Sequence, residues 1–176
     1  PPGMYRLAIA YNGKIGTQSN GLFALDYETV AGKQRGLFTQ FAVSEARSFV
    51  PSWDEPAYKA TFALQATVPS DQMAVSNLPA ISTDDLGNGL TRVRFAPSPK
   101  MSTYLLFFAL GDFERATAQA GETEVGVITR RGALSQAAYA LETSREVLYE
   151  FTDYFGVPYP LPKLDNVAAP GRGGFW

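Results

Sequence analysis

The sequence predicts a mainly β domain that gives way to one amphipathic helix, and three observations carry that prediction. Short apolar runs with period-two alternation fill the first two-thirds of the chain, punctuated by Gly, Pro and Asn-Gly turn signals. From Ser135 onward the apolar residues recur every three to four positions instead. Helices do not interleave with the strands, so a βαβ series is excluded.

The elements follow in order. Tyr5, Leu7, Ile9 and Tyr11 alternate with Arg6, Ala8 and Ala10 as in a half-buried strand, and Asn12-Gly13 signals a turn after it. Leu22, Ala24 and Asp26 to Thr29 predict a second strand between Asn20-Gly21 and Gly32, and Leu37 to Phe41 a third. Tyr58 to Val68 reads as the longest, with Phe62, Leu64, Ala66 and Val68 on one face and Pro69 as its stop. Met73 to Ser76 and Leu90 to Phe95 are short strands separated by the polar stretch Ser82 to Gly89. Ser102 to Phe108 suits a strand covered on both faces, and Val125 to Thr129 is the last strand. The character changes at Arg131-Gly132. Ala138, Leu141, Leu148, Phe151 and Phe155 then define a helix of about twenty residues, roughly 30 Å long. Ser135 is its predicted N-cap, and Gly156 with Pro158 its stop. The rest, from Gly156 on, is rich in proline and glycine and predicts a loop.

Composition narrows the chemistry. The chain of 176 residues has no histidine and no cysteine. Catalytic zinc is normally held with His nitrogen, and Ser-His or Cys-His catalysis needs an imidazole. None of these devices can be assembled from these residues alone. A net charge of -2 with only 18% charged residues argues against a nucleic-acid or anionic-membrane surface. The longest apolar stretch, Tyr104 to Leu110, is far shorter than the ~20 residues of a membrane-spanning helix. Pro1-Pro2-Gly3 is neither an initiator methionine nor a signal segment, so a trimmed or internal start is expected and the compartment is not readable.

Several residues invite a functional reading. Asp54 and Glu55, in Trp53-Asp54-Glu55-Pro56, are adjacent, and in extended chain they point to opposite faces. Arg47 upstream can pair with one of them, so a loop-building ion pair is preferred to a glycosidase acid/base pair. Gln40, at the end of an apolar strand, is placed either to bond a ligand or to satisfy a neighbouring loop. Gly171-Arg172-Gly173-Gly174 is a weak phosphate-loop signal, lacking the Lys-Ser/Thr ending. Lys163 and Asp165 are expected to anchor the terminal loop. Tyr154, Phe155, Tyr159, Phe175 and Trp176 fit either a sugar-stacking surface or a seam to further protein.

A series of longer motifs adds to these. Thr39-Gln40-Phe41, Ala46-Arg47 and the run from Pro51-Ser52-Trp53-Asp54-Glu55-Pro56 through Ala57-Tyr58-Lys59-Ala60-Thr61-Phe62 resemble the N-terminal domain of the M1 zinc aminopeptidases, a gluzincin family. Val75-Ser76-Asn77-Leu78-Pro79, Met101-Ser102-Thr103-Tyr104-Leu105, Gly111-Asp112-Phe113 and Tyr154-Phe155-Gly156-Val157-Pro158-Tyr159-Pro160-Leu161-Pro162-Lys163-Leu164-Asp165 follow in family order. The resemblance runs from about Tyr5 to the last residue.

It implies a saddle-like antiparallel β-sandwich over residues 1–130, its first strands missing before Pro1, and the opening of a thermolysin-like catalytic domain over 131–176. It also implies a zinc site built on a His-Glu-x-x-His helix beyond Trp176, and a Gly-x-Met-Glu-Asn segment just past the end of the chain. The expectation is thus a piece of an enzyme that removes N-terminal residues from peptides. No catalytic residue and no bound cofactor are expected here, and Zn2+ belongs to the intact parent. Its partners are peptide substrates and the remainder of its own catalytic domain, with no nucleic acid and no transmembrane segment. Gln40 matches a family glutamine lining the first substrate pocket. Two positions on, where many members carry a glutamate that grips the substrate's ammonium, this chain has Ala42, so Glu45 is a second binding candidate. Arg47, Trp53, Asp54, Glu55 and Pro56 are expected to be structural. Two other readings remain open: a β-sandwich binding module for carbohydrate or protein, and an aminopeptidase-like scaffold without catalysis.

Overall fold

A long hairpin supplies the first two strands of the fold. Strands β1 (Gly21–Thr29) and β2 (Gly32–Gln40) pair antiparallel from Gly21↔Gln40 to Thr29↔Gly32. The Thr29 hydroxyl closes the turn, donating to the Gly32 carbonyl and accepting from the Ala31 N–H. The structure, a computed structural model, describes residues 3–29 and 31–170.

The remaining strands are β3 (Gln65–Pro69), β4 (Met73–Ser76), β5 (Ala80–Gly87), β6 (Leu90–Phe95), β7 (Phe108–Gly111), β8 (Phe113–Ala120), β9 (Thr123–Arg130) and β10 (Lys163–Val167). They form three sheets, ordered β1-β2-β7-β4, β3-β6-β5 and β10-β9-β8. All pairings are antiparallel except β9–β10.

The four-stranded sheet is the middle layer, and period-two alternation divides its side chains between two cores. Phe23, Phe38, Val75 and Ala109 pack with Phe113 of β8 and Ile128 of β9. Leu22, Leu37, Ala74, Phe108 and Leu110 face the other way, onto Val68, Val93 and Phe95 of β3 and β6. Every residue of β7 is therefore buried, which accounts for its continuous apolar sequence. The fold is mainly β with one helix, as the sequence predicts.

That helix, α1 (Ala138–Phe155), lies on β8 and β9. Leu148 and Leu141 meet Ala120, Val125 and Leu164. Gly156 ends it in the left-handed region, φ 67°, with its N–H on the Thr152 carbonyl. Ser135 is not its cap. It sits inside a preceding 3-10 turn, Leu134–Gln136, and the helix starts after Ala137 with no side-chain cap. The carboxylate of Glu114 supports the approach instead, accepting from the Gly132 and Leu134 N–H groups.

Other expectations are corrected. Residues 5–11 form no strand: no pairing among the described strands includes 6–11, and Leu7 and Ile9 are exposed. An alternating pattern becomes a strand only when a ladder receives it. The predicted strand Tyr58 to Val68 shortens to β3. Upstream of β3 the chain bonds discontinuously, Leu64 to Phe95, Phe62 to Ser98 and Ala60 to Met101. Its partner segment carries Pro97 and Pro99, which have no N–H to continue a ladder. Ser102 to Phe108 holds a 3-10 turn at Thr103–Leu105, and the buried strand begins only at Phe108. The polar stretch after Ser82 is part of β5, turned into β6 by Gly87, Asn88 and Gly89 at positive φ. β8 and β10 complete a sheet of which the sequence predicts only β9.

Candidate functional site

Gln40 is the last residue of β2, and its half-buried side chain turns back to accept a 3.2 Å hydrogen bond from the Ala42 N–H through Oε1. The loop beyond it has anchored feet and an open tip. Phe41 and Ala46 are buried with Leu106, and the Phe49 ring lies tilted against that of Phe41 at 5.4 Å between centroids. Ala42, Val43 and Ser44 between the feet are exposed.

Glu45 begins the 3-10 turn Ala46–Ser48 and is half-buried. Its N–H donates to the Phe41 carbonyl, and its own carbonyl accepts the Ser48 hydroxyl at 2.6 Å. This turn rests on Gly21, the partner of Gln40: a Cβ at Gly21 would stand 2.6 Å from Ser48 Oγ, and its φ is +62°. The sequence does not announce Gly21 and Ser48 as supports of this loop. Only the Asn20-Gly21 turn signal touches them.

Asp54 and Glu55 do part, but through a turned backbone at Asp54 and not through the alternation of an extended strand. Asp54 is buried, 2% exposed, and Glu55 is exposed. Asp54 Oδ2 accepts the backbone N–H of Arg47 at 3.0 Å and lies 3.6 Å from its Nε. Arg47 Nη2 also donates to the Asp54 carbonyl at 3.3 Å. Asp54 Oδ1 accepts the hydroxyl of Thr103 at 2.5 Å. Burial pushes the Asp54 carboxyl up, but the hydrogen bonds from Thr103 and Arg47, with the charge of Arg47, outweigh it and hold the carboxyl below its ordinary value. Asp54 itself sits at φ 52°. Beside it the Trp53 and Tyr58 rings lie exposed, 6.4 Å apart. Ser102 donates to the Pro56 carbonyl at 2.8 Å, so the Pro51–Phe62 and Met101–Leu105 motifs are stitched together.

The other motifs also meet in pairs. Asn77 donates to the Leu105 carbonyl and accepts from the Phe107 N–H. Arg131 Nε reaches Asp112 Oδ1 at 2.6 Å. Lys163, expected in a loop, begins β10 and is buried, its Nζ on the Ser76 carbonyl at 2.7 Å.

Chemically, the loop carries an amide, Gln40, at one foot and a carboxylate, Glu45, at the other, groups of a kind that can bind a polar or cationic partner. Asp54 is wholly engaged in holding its loop. The donor set does not fit a catalytic zinc: the sequence has neither His nor Cys, and among the described residues no group of three or more acidic side chains converges. No helix among the described residues is long and apolar enough to cross a membrane. Tyr154 and Phe155 are exposed and edge-on to each other at 4.9 Å. Tyr159 is half-buried, its hydroxyl pushed up by burial and by the charge of Asp165. Phe175, Trp176 and the Gly171-Arg172-Gly173-Gly174 stretch lie outside the described residues.

Comparison with known proteins gives a consistent set. Residues 1–105 match the family described as the Peptidase M1 N-terminal domain. Aminopeptidase N of Acetobacter pasteurianus is 44% identical over 171 residues, covering 97% of this chain and 48% of that protein. Aminopeptidase M1-A of Oryza sativa subsp. japonica is 39% identical over 97% of this chain and 19% of its own length. Endoplasmic reticulum aminopeptidase 1 of Homo sapiens is 36% identical over 94% of this chain and 18% of its own length. The chain thus spans about half the length of the first relative and about a fifth of the other two.

Proposed function

This chain belongs to the peptidase M1 family, and from that premise we propose that it serves a zinc-dependent aminopeptidase as β-domain scaffold and substrate-pocket rim. The observation that carries the reading is the alignment of proteins named as aminopeptidases along nearly the whole chain. The pairwise meeting of the motifs supports it, because it gives each a place in one scaffold.

In this reading, residues 1–130 are the β-domain and 131–176 open the catalytic domain. Gln40 presents its amide to the substrate from the end of β2, and Glu45 offers the negative charge that Ala42 cannot supply for an N-terminal ammonium. Arg47, Trp53, Asp54, Glu55 and Pro56 hold the neighbouring loop. The zinc that the family implies would polarise the scissile carbonyl, held by residues other than those of this chain. The remainder of the catalytic domain is the partner for the exposed aromatics of α1, and peptides are the substrates.

The test compares the intact polypeptide with this chain. Aminoacyl-anilide turnover with one zinc per intact molecule, and neither property in the 176-residue chain, is expected. Turnover with stoichiometric zinc by the chain alone overturns the reading, as does an intact protein that binds glycans and hydrolyses no aminoacyl substrate.

A further inference from the structure

Among the described strands, β10 is the one with a buried charged residue, Lys163. Lys163 Nζ bonds the Ser76 carbonyl of β4 at 2.7 Å and Asp165 Oδ2 at 2.5 Å. Asp165 Oδ1 accepts from Arg115 Nε of β8 at 2.8 Å, and Arg115 Nη1 reaches Glu124 of β9 at 2.7 Å. The Asp165 side chain is 7% exposed and that of Lys163 10%, so water screens this pair little. Four strands from two sheets thus converge on one chain of charges.

The network needs a hole in β9, and Gly126 is that hole. Gly126 lies opposite Asp165 in the parallel ladder and opposite Thr117 in the antiparallel one. A Cβ there would overlap Asp165 Oδ1 and stand 2.6 Å from Arg115 Nε and 2.8 Å from Arg115 Nη2. Glycine inside a strand weakens it and often marks the close approach of another group. Here the group is an ion pair.

We propose that Lys163, Asp165, Arg115 and Glu124, admitted by Gly126, form a clasp that fixes β10, and the chain running on from it, to the β-domain. Apolar burial alone does not do this: Leu164 and Val167 are only half-buried. Lys163 is the key member, because its single ammonium joins the middle sheet at Ser76 to the β8–β9–β10 sheet at Asp165. The clasp is a property of this chain's fold and does not rest on the proposed activity.

Amide hydrogen exchange on the full 176-residue chain tests it, with Lys163→Met and Gly126→Ala singly and together. Each single variant is expected to speed exchange at residues 164–168 at least tenfold while the β1–β2 hairpin keeps its protection. The double variant should be no worse than the more severe single one, because both break the same joint. Unchanged exchange at 164–168 overturns the proposal, as do additive effects in the double variant. A loss of protection that spreads equally through β1 and β2 also overturns it, since the network would then be ordinary core. Asp165→Asn, which keeps the shape and removes the charge, guards against gross misfolding. It should release β10 alone, and full protection of β10 in that variant counts against the clasp.

Discussion

The hydroxyl of Thr103 donates a 2.5 Å hydrogen bond to the buried carboxylate of Asp54, joining two loops 49 residues apart. With the Arg47 N–H on the other oxygen, it compensates a charge that would otherwise be costly to bury. Thr103→Val keeps the shape and removes the donor. A loss of about 1–3 kcal/mol is expected in urea unfolding, and an unchanged midpoint would sink this account.

The same site fixes the sign of a pH dependence. The folded Asp54 carboxyl sits below its ordinary value, so its stabilisation is complete above the unfolded carboxyl pKa of ~3.9. It is lost as pH falls through the lower folded value. Stability measured across the acid range should show this limb, and Thr103→Val, by raising the folded value, should make the limb smaller and end it at higher pH. An acid limb identical in the two proteins contradicts the assignment to Asp54.

Leu148 is the buried contact of α1 with the β8–β9 sheet. Leu148→Ala should cost about 2–3 kcal/mol, the lower part of the range for buried leucines, because the cluster lies near the surface. Chemical denaturation of wild type and variant measures it. A cost comparable to an exposed substitution such as Tyr139→Ala would mean that the helix is not held by this contact.

Gly156 ends the helix at φ 67°. Gly156→Ala should destabilise by about 1–2 kcal/mol through left-handed strain, with Gly156→Asn less costly. Equal thermal midpoints for all three proteins would argue against that geometry.

In the intact protein, Gln40→Ala should raise KM for aminoacyl substrates about 3–10-fold with a smaller change in kcat, the effect of one neutral hydrogen bond of roughly 0.5–1.5 kcal/mol. Glu45→Ala tests the second candidate by the same assay. A KM left untouched in either variant removes that residue from the pocket.

What could be read from the sequence depended on where the water is. β4 and β6 were legible to the residue because their apolar side chains pack into the cores, β4 into both and β6 into one. β5 was not: it is an edge strand of an outer layer, and Asp84 pairs across it with Arg94, so its sequence reads as a loop. In β8 the Arg115 side chain turns into an ion-pair network, which hides the strand from a hydrophobic count. β10 was masked by flanking prolines and a buried lysine. Around Asp54, Arg47 was a foreseeable partner, whereas the left-handed turn that parts Asp54 from Glu55 was not. Thr103 was not, because nothing local in a chain announces a contact made across 49 residues.

The two-faced middle sheet has a consequence for synthesis. The buried hydroxyl of Thr39 exchanges hydrogen bonds with the N–H and carbonyl of Phe108, 69 residues further along. At about 5–20 residues per second, β1 and β2 leave the ribosome several seconds before the strand that must lie beside them. During that interval Phe23 and Phe38 lack Phe113 and Ile128, which cover them from β8 and β9, whereas the β3 and β6 layer that covers Leu22 and Leu37 is already emerging. The face of the hairpin turned toward β8 and β9 is therefore the last to be covered, and a pause placed before β7 would lengthen its exposure.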